Sequence, residues 1–300
     1  MFALVHSPPV EGWQAQPDGV VAKVLHKVTP FVLLQQTAVL FFNILMCRLA
    51  AYLGKAIPLR KLLLEPEHSL YVQSWQPQEL QYAKLNADGF GFGWHHPDGR
   101  AAVYKNAMPI WSDVNLSDLA DSLHSERWLA MVRSATAGFA TSADNTQPFR
   151  HDHYLYLHNG YIKNFNQAMR KKISNELSDE IVASLRGLND SEYLFALLRQ
   201  FIANFPQEKL SGVIKNLIRW LTAYIGDNEA LLNMIISDSQ SLYALRYAIN
   251  HQAPSLYFLS GTDALWIASE KLDNKSAWET FPEKKLMVAD LKHTIEWIEL

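Results

Sequence analysis

The hydrophobic period of this chain changes twice, and these changes constrain the fold more than any other feature. Between residues 47 and 160 the apolar segments are short, rich in aromatic and β-branched residues and separated by Gly, Pro, Asp or Asn, which is typical of strands and hairpins. From Asn189 the period becomes helical, and beyond Ala230 short apolar segments return. Strands, paired helices and then strands predict an α+β layered fold.

The helical part carries two apolar stripes. Asn189 is a candidate N-cap with Glu192 three positions later, which is a common start signal of a helix. The first stripe comprises Leu194, Leu197, Leu198 and Phe201, and the second comprises Ile214, Leu217, Ile218 and Leu221. The second helix is expected to end near Gly226.

Charge and composition exclude some classes of partner. The formal net charge is -3, from 27 basic and 30 acidic residues without a long run of either sign. This balance predicts neither a nucleic-acid partner nor binding to an anionic membrane surface. No Gly-rich phosphate loop is expected in NADGFGFGW, because its spacing differs from GxGxxG and alternating glycines suit a strand that another backbone approaches closely. The histidines lack the spacing of a metal site, so neither a metal nor a cofactor is expected.

The segment before Met46 differs from the rest. Residues 31–46 read FVLLQQTAVLFFNILM, an apolar run with polar interruptions, and spanning a bilayer takes about 20 apolar residues. No cleavage site follows it, so we expect neither a signal peptide nor a membrane anchor. Because MCRLAAYLG reads as the start of a domain, our hypothesis is that residues 1–46 are an upstream or removable leader and that residues 47–300 form one domain.

The chain has a single cysteine, Cys47. One cysteine excludes an intrachain disulfide and multi-cysteine metal sites, and it fits a reducing compartment such as the cytoplasm. A free cysteine is most often a packing residue, and that interpretation is favoured for Cys47 taken alone. The other interpretation is a nucleophile.

Six segments resemble, in the correct order, the motifs of class II glutamine amidotransferases: MCRLAAYLG, NADGFGFGW, RSAT, NTQPF, HNGYIKNF and NDSEYLF. Two later segments, SDSQSLYALRYA and IASEKLD, resemble the closing hairpin of that family and its neighbour. The resemblance implies a four-layer αββα sandwich of the N-terminal-nucleophile (Ntn) hydrolase type, in agreement with the order of strands and helices. It also implies an enzyme.

The resemblance assigns a role to five residues. Cys47 is the nucleophile, and Asn159 and Gly160 form the oxyanion hole. Arg133 holds the α-carboxylate of the substrate and Asp190 accepts its α-ammonium. Without the resemblance, an Asn-Gly turn, a surface ion pair and a helix cap would explain HNG, Arg133 and Asp190.

The mechanism depends on where the chain begins. A free α-amino group, with a pKa of about 7.7–8.0 against about 8.5 for a thiol, is a base suited to neutral pH. An internal Cys47 has an amide nitrogen instead, so the processed N-terminus is a requirement. The chain departs from the family at Gln147, where members commonly have His, and we do not carry that position over as a site residue.

We expect a hydrolase that cleaves a γ-glutamyl amide or peptide through a thioester on Cys47 and releases glutamate. The compact form resembles the stand-alone branch of the family, with the γ-glutamyl hydrolase of ergothioneine synthesis and the amidotransferase-like subunit of glutathione degradation. One alternative is a glutaminase subunit that supplies ammonia to a partner synthase. Others are a catalytically silent binding module that retains its leader, or a membrane-anchored protein. A homo-oligomer or a partner enzyme remains open.

Overall fold

The computed structural model describes residues 47–79, 85–134, 141–292 and 294–300. Its strands are β1 (Arg48–Pro58), β2 (Phe90–His95), β3 (Ala101–Asn106), β4 (His124–Val132), β5 (Phe149–His151), β6 (Tyr154–Ile162), β7 (Ala230–Ser237), β8 (Ser241–Arg246), β9 (Ala248–Ile249), β10 (Tyr257–Ser260), β11 (Ala264–Ala268), β12 (Glu279–Thr280), β13 (Lys285–Asp290) and β14 (Ile295–Glu299). Its helices are α1 (Arg60–Leu63), α2 (Leu70–Gln73), α3 (Leu116–Ser122), α4 (Gln167–Ser174), α5 (Asp179–Ser184), α6 (Asp190–Asn204) and α7 (Leu210–Ile225).

The strands form two antiparallel sheets. The first has the order β12-β10-β11-β1-β4-β2-β3, so the first strand lies near the middle of its sheet. The second has the order β14-β13-β8-β7-β6-β5, and β9 pairs with β7 beside it. Both predicted groups of strands are therefore present, and each sheet combines strands from the two halves of the chain.

Alternation along the strands separates three cores. In β1, Leu49 and Ala51 belong to the core between the two sheets, whereas Ala50 and Tyr52 face the outer core of the first sheet. That outer core is completed by α1, α2 and α3, and the outer core of the second sheet by α4 to α7. The four layers are helices, sheet, sheet and helices, which confirms the predicted αββα sandwich.

The two long helices confirm the predicted apolar stripes. Leu194, Leu197 and Leu198 of α6 are fully or almost fully buried, as are the four residues of the second stripe on α7. The N-cap of α6 is Asn189, whose side chain accepts a hydrogen bond from the backbone N–H of Glu192. Gly226 is the C-cap of α7 with a φ of 59°, in the left-handed region that glycine adopts without strain.

The described residues all belong to one compact unit, Asn43–Leu300. The predicted leader, residues 1–46, lies outside the described residues, as does the apolar run within it. In the described ranges, no helix combines the length and the apolar character needed to cross a membrane.

Candidate active site

Cys47 directly precedes β1 and packs, half-buried, against the core between the two sheets. Its Sγ lies 3.8 Å from the carbonyl oxygen of Ser134, within reach of a weak S–H donor. Burial raises the pKa of the thiol, the positive charges of Arg133 and Arg48 lower it, and the charge of Asp190 raises it. The thiol is therefore a weak acid that needs a base, and both predicted substrate-binding residues act on it electrostatically.

Arg133 follows β4 and is held by the backbone of the segment before β2. Its N–H donates to Gly89 O at 2.8 Å, and its carbonyl accepts from the N–H of Asp88 at 3.0 Å. Its Nη1 donates to Asp88 O at 3.2 Å. Within the described ranges Arg133 makes no ion pair with a carboxylate. This guanidinium is buried, and a carboxylate ligand would compensate its charge.

Asp190 is the first residue of α6 and not its cap, which is Asn189. As an acid in the first turn it is also favoured by the helix dipole. Its Oδ2 accepts from the backbone N–H of Ile162 at 2.7 Å, and its Oδ1 accepts from the N–H of Ser191 at 2.8 Å. These two bonds fix the carboxylate between α6 and the end of β6.

Asn159 lies in β6 with its side chain toward the space between the sheets, because Leu155 and Leu157 of the same strand belong to that core. Only 1% of Asn159 is exposed. Among the residues that the structure describes, neither its Nδ2 nor its Oδ1 has a hydrogen-bond partner. A buried amide without partners costs free energy, so its presence indicates a function in binding or catalysis.

Gly160 has an N–H that points to the open edge of β6. Neighbouring residues of an antiparallel strand direct their N–H groups to opposite edges, so residues 158, 160 and 162 share one edge. The N–H groups of His158 and Ile162 donate at that edge to Gln147 and Asp190, which places the N–H of Gly160 between them. A Cβ at Gly160 would lie 1.9 Å from Leu231 O, so no other residue fits.

The two sheets are in close contact beside β2. A Cβ on Gly93 would lie 3.1 Å from the side chain of Leu155, and one on Gly91 would lie 2.3 Å from Gln147 O. The predicted close backbone approach is thus confirmed at Gly91, whereas Gly93 makes room for a side chain. Gly93 thus lies opposite Leu155 of the second sheet. Gly91 lies opposite Gln147, whose side chain bonds to His158, so Gly91 is near the position of His158 along β6.

The same levels bring four of the predicted site residues to one end of the sandwich. Position 91 pairs with position 131 of β4, which pairs with position 49 of β1. Two residues further in the same direction, the first sheet carries Cys47 and Arg133. In the second sheet, the residues that follow His158 are Asn159 and Gly160. Asp190 joins them through its bond to the end of β6.

Gln147 extends the hydrogen-bonding of β6 beyond β5. Its side chain accepts from the N–H of His158 at 2.6 Å and donates to His158 O at 3.0 Å. The glutamine amide thus pairs with the strand as another peptide would. These two bonds fasten β6 to the segment that carries Gln147.

The sequence did not point to three further buried polar groups at this end. Asn233 of β7 stands opposite Asn159, and its Nδ2 donates to Pro254 O and Ser255 O at 3.3 and 3.1 Å. The ring of His158 lies between Ser191 Oγ, 2.8 Å from Nδ1, and Leu231 O, 2.9 Å from Nε2. Burial lowers the pKa of His158, which favours the neutral ring. The third group is the buried ion pair between Arg48 and Glu270.

The arrangement suits acyl transfer to a thiol. It combines a cysteine, an amide donor without partners and a strand-edge N–H, which are the groups that receive a carbonyl carbon and its developing oxyanion. A buried guanidinium and a fixed carboxylate accompany them, and together they match an α-amino acid group. In the described part of the chain, no group of three His, Cys, Asp or Glu side chains lies together as a metal site requires.

Comparison with known proteins gives one family. Residues 65–256 match the family model described as glutamine amidotransferases class-II, a range that begins after Cys47. The gamma-glutamyl-hercynylcysteine sulfoxide hydrolase of Mycolicibacterium smegmatis is 28% identical over 252 residues, covering 83% of this chain and 98% of that protein. The probable glutamine amidotransferase DUG3 of Saccharomyces cerevisiae is 28% identical and covers 81% of each chain.

Solved structures share the fold. A glutamine aminotransferase class-II domain protein from Silicibacter pomeroyi superposes with a TM-score of 0.61 at 23% identity, over 85% of this chain and 99% of that one. The glutamine phosphoribosylpyrophosphate amidotransferase of B. subtilis gives a TM-score of 0.57 at 15% identity, over 84% of this chain and 49% of that one.

Proposed function

Because this chain belongs to the class II glutamine amidotransferases, we propose that it hydrolyses a γ-glutamyl amide or peptide bond through a thioester on Cys47. The observation that carries the proposal is the buried side-chain amide of Asn159, which lacks partners in the described structure and faces the core between the two sheets, as Cys47 does. Such a donor is what an oxyanion requires. The relatives named as hydrolases of a γ-glutamyl compound support the same class of substrate.

The reaction begins when the α-amino group of an N-terminal Cys47 takes the thiol proton. Sγ then attacks the side-chain carbonyl carbon of the γ-glutamyl group, and the oxygen becomes negatively charged beside Asn159 and Gly160. One such donor contributes about 10²–10³ in rate. Collapse breaks the C–N bond, the α-ammonium protonates the leaving amine, and a thioester remains.

Water completes the turnover. The same α-amino group accepts a proton from water as it attacks the thioester, the C–S bond breaks, and glutamate leaves with the thiol restored. The raised pKa of the Cys47 thiol supports this need for a base, because the thiol is mostly protonated at neutral pH. An amide nitrogen at an internal Cys47 cannot take up a proton in this way.

Specificity for the glutamyl end comes from a pair of charges. Arg133 binds the α-carboxylate of the substrate, for which a planar guanidinium offers two parallel donors. Asp190 binds the α-ammonium with oxygen lone pairs that Ile162 and Ser191 leave open. Both charges act on the Cys47 thiol, which supports their placement within one substrate length of it.

Two forms of the chain test the proposal. The chain produced from Met46, with loss of methionine confirmed by intact mass, should release glutamate from γ-glutamyl compounds, and the full chain with an internal Cys47 should not. The glutamine analogue 6-diazo-5-oxonorleucine should label Cys47 in the shorter form alone, with Cys47→Ala as the unlabelled control. Absence of both labelling and glutamate release in the Met46 form would refute the enzyme assignment.

The leaving group separates hydrolysis from ammonia delivery. Release of an amine from γ-glutamyl amides without any partner supports the hydrolase, whereas an aminated product formed only with a synthase supports the subunit. The reactive thiol must also stay reduced, so we place the protein in the cytoplasm. Fractionation of the native cells would test that location.

A further inference from the structure

Arg48 joins the start of β1 to a carboxylate 222 positions later in the chain. It is fully buried, and it faces the outer core of the first sheet while Cys47 faces the space between the sheets. Its Nη1 turns back and donates to Cys47 O at 2.9 Å. Its Nε donates to Oε1 of Glu270, with which it forms a buried ion pair.

Glu270 is saturated with donors. Besides Arg48, it accepts from His68 Nε2 at 2.7 Å and from the backbone N–H groups of Gln78 and Glu79 at 2.9 and 3.0 Å. A carboxylate offers about four acceptor positions, and these contacts use them. Burial raises the pKa of Glu270, but the bond from His68, the charge of Arg48 and the two N–H groups outweigh it and hold the pKa at about 2.

The residue next to Glu270 fastens the same strand. Ser269 Oγ accepts from the N–H of Leu49 at 3.0 Å, and the N–H of Ser269 donates to Leu49 O at 3.0 Å. Ser269 therefore holds both backbone groups of Leu49 directly, and Glu270 holds the carbonyl of Cys47 through Arg48. Chain termini are poorly ordered unless they are tied down in this way.

We propose that Arg48 and Glu270 are positioning residues for the nucleophile. Arg48 holds the carbonyl of Cys47, and with it the peptide plane from which the thiol and the amine project, while Glu270 holds Arg48. This inference rests on the proposed function of Cys47. Both side chains are buried, and they act on the reacting atoms through the placement of Cys47 and, for Arg48, also through its charge on the thiol. A misplacement of 1 Å costs about 10²-fold in rate.

Arg48→Lys is the sharpest variant, because it keeps the charge beside Glu270 but replaces two separated donor nitrogens by one. We expect kcat for glutamate release by the folded enzyme to fall about 10²-fold in the Met46 form with KM nearly unchanged, while the loss of one buried hydrogen bond lowers the melting temperature only modestly. A residue with a merely structural role would lower the melting temperature and the amount of active enzyme, not the kcat of the folded enzyme.

Glu270→Gln and the double variant Arg48→Met/Glu270→Gln complete the series. The double variant removes both buried charges together, which folded proteins tolerate far better than one unpaired charge. It should therefore fold even where a single variant does not, and it should show the same loss of kcat. A double variant that folds with the kcat of the wild type would overturn the inference.

Amide hydrogen exchange in the full 300-residue chain gives a readout that needs no activity. Arg48→Lys should speed exchange in residues 47–50, and Glu270→Gln should also speed it at Gln78 and Glu79. Unchanged exchange at 47–50 in both variants would contradict the positioning role. If the wild-type Met46 form releases no glutamate, the proposed function fails by itself, and exchange still decides whether this pair holds the segment of Cys47.

Discussion

Replacing Asn159 by leucine should slow catalysis and at the same time stabilise the folded chain. The amide of Asn159 is 1% exposed, and within the described structure both its Nδ2 and its Oδ1 lack partners. An unsatisfied buried polar group costs about 1–3 kcal/mol, so a leucine of similar size should relieve at least one such cost. The expected gain in the free energy of unfolding is about 2 kcal/mol, or about 4–8 °C in melting temperature for a domain of this size.

The same substitution removes a donor to the oxyanion. The expected loss in kcat is about 10²–10³, equivalent to about 2.7–4 kcal/mol of transition-state stabilisation. Glutamate release by the Met46 form gives kcat, and urea unfolding of the same samples gives the stability. A stability gain together with a loss of rate is the signature of a buried group retained for function.

Asn233→Leu is the matched control, because Asn233 faces Asn159 across the sheet and is equally buried. Its Nδ2 has two acceptors, Pro254 O and Ser255 O, and of its two polar side-chain atoms only Oδ1 lacks a partner among the described residues. The leucine variant would remove that one unsatisfied atom but would leave both carbonyls without their donor. Its stability should therefore fall, by about 1–3 kcal/mol. If Asn159→Leu is also less stable than the wild type, or keeps more than about a tenth of its kcat, the assignment of Asn159 as an oxyanion donor is wrong.

Three further outcomes follow from named contacts. Arg133→Lys should raise KM for γ-glutamyl substrates about tenfold or more, since an ammonium cannot bind a carboxylate in two parallel bonds; an unchanged KM in steady-state assays would argue against the carboxylate role. The pKa of the Cys47 thiol is raised, so its alkylation by iodoacetamide in the full chain should reach half its maximal rate at a higher pH than for free cysteine, and a midpoint below that of free cysteine would contradict this. The pKa of Glu270 is lowered from 4.5 to about 2, so the stability that its ionised form contributes is complete above pH 4.5 and is lost as the pH falls toward 2. Urea unfolding should show a loss of about 3 kcal/mol across that window, and Glu270→Gln should lack this loss.

The order of layers could be predicted from the sequence because it depends on local periods. The stripe that includes Leu194 and Leu197 predicts a helix with one buried face, and these residues do pack in the core in α6. The burial is wider than predicted, because all of residues 191–198 are buried. The short helices α1 to α5 were not predicted, since segments of four to eight residues are too short to show a helical period. The cap at Asn189 was predicted from its spacing to Glu192, but Glu192 itself turns to the N–H groups of Arg186 and Gly187.

The residue types of the site could likewise be predicted, because the ordered motifs carry a cysteine, an Asn-Gly pair, an arginine and an acid. What each side chain touches could not. The sequence does not show that both polar atoms of the Asn159 amide are left without partners in the described structure while the Nδ2 of Asn233 opposite it finds two acceptors, because that depends on which carbonyls the segment 254–255 brings near.

The sequence by itself determined the alternation of strands and helices and the chemistry available to the chain, since both reside in neighbouring residues. Only the tertiary structure decided that Arg48 pairs with a glutamate 222 positions away and that β1 lies between β11 and β4. Contacts of this kind arise from the pairing of distant strands, whose register is set by burial over the whole sheet and not by any local period.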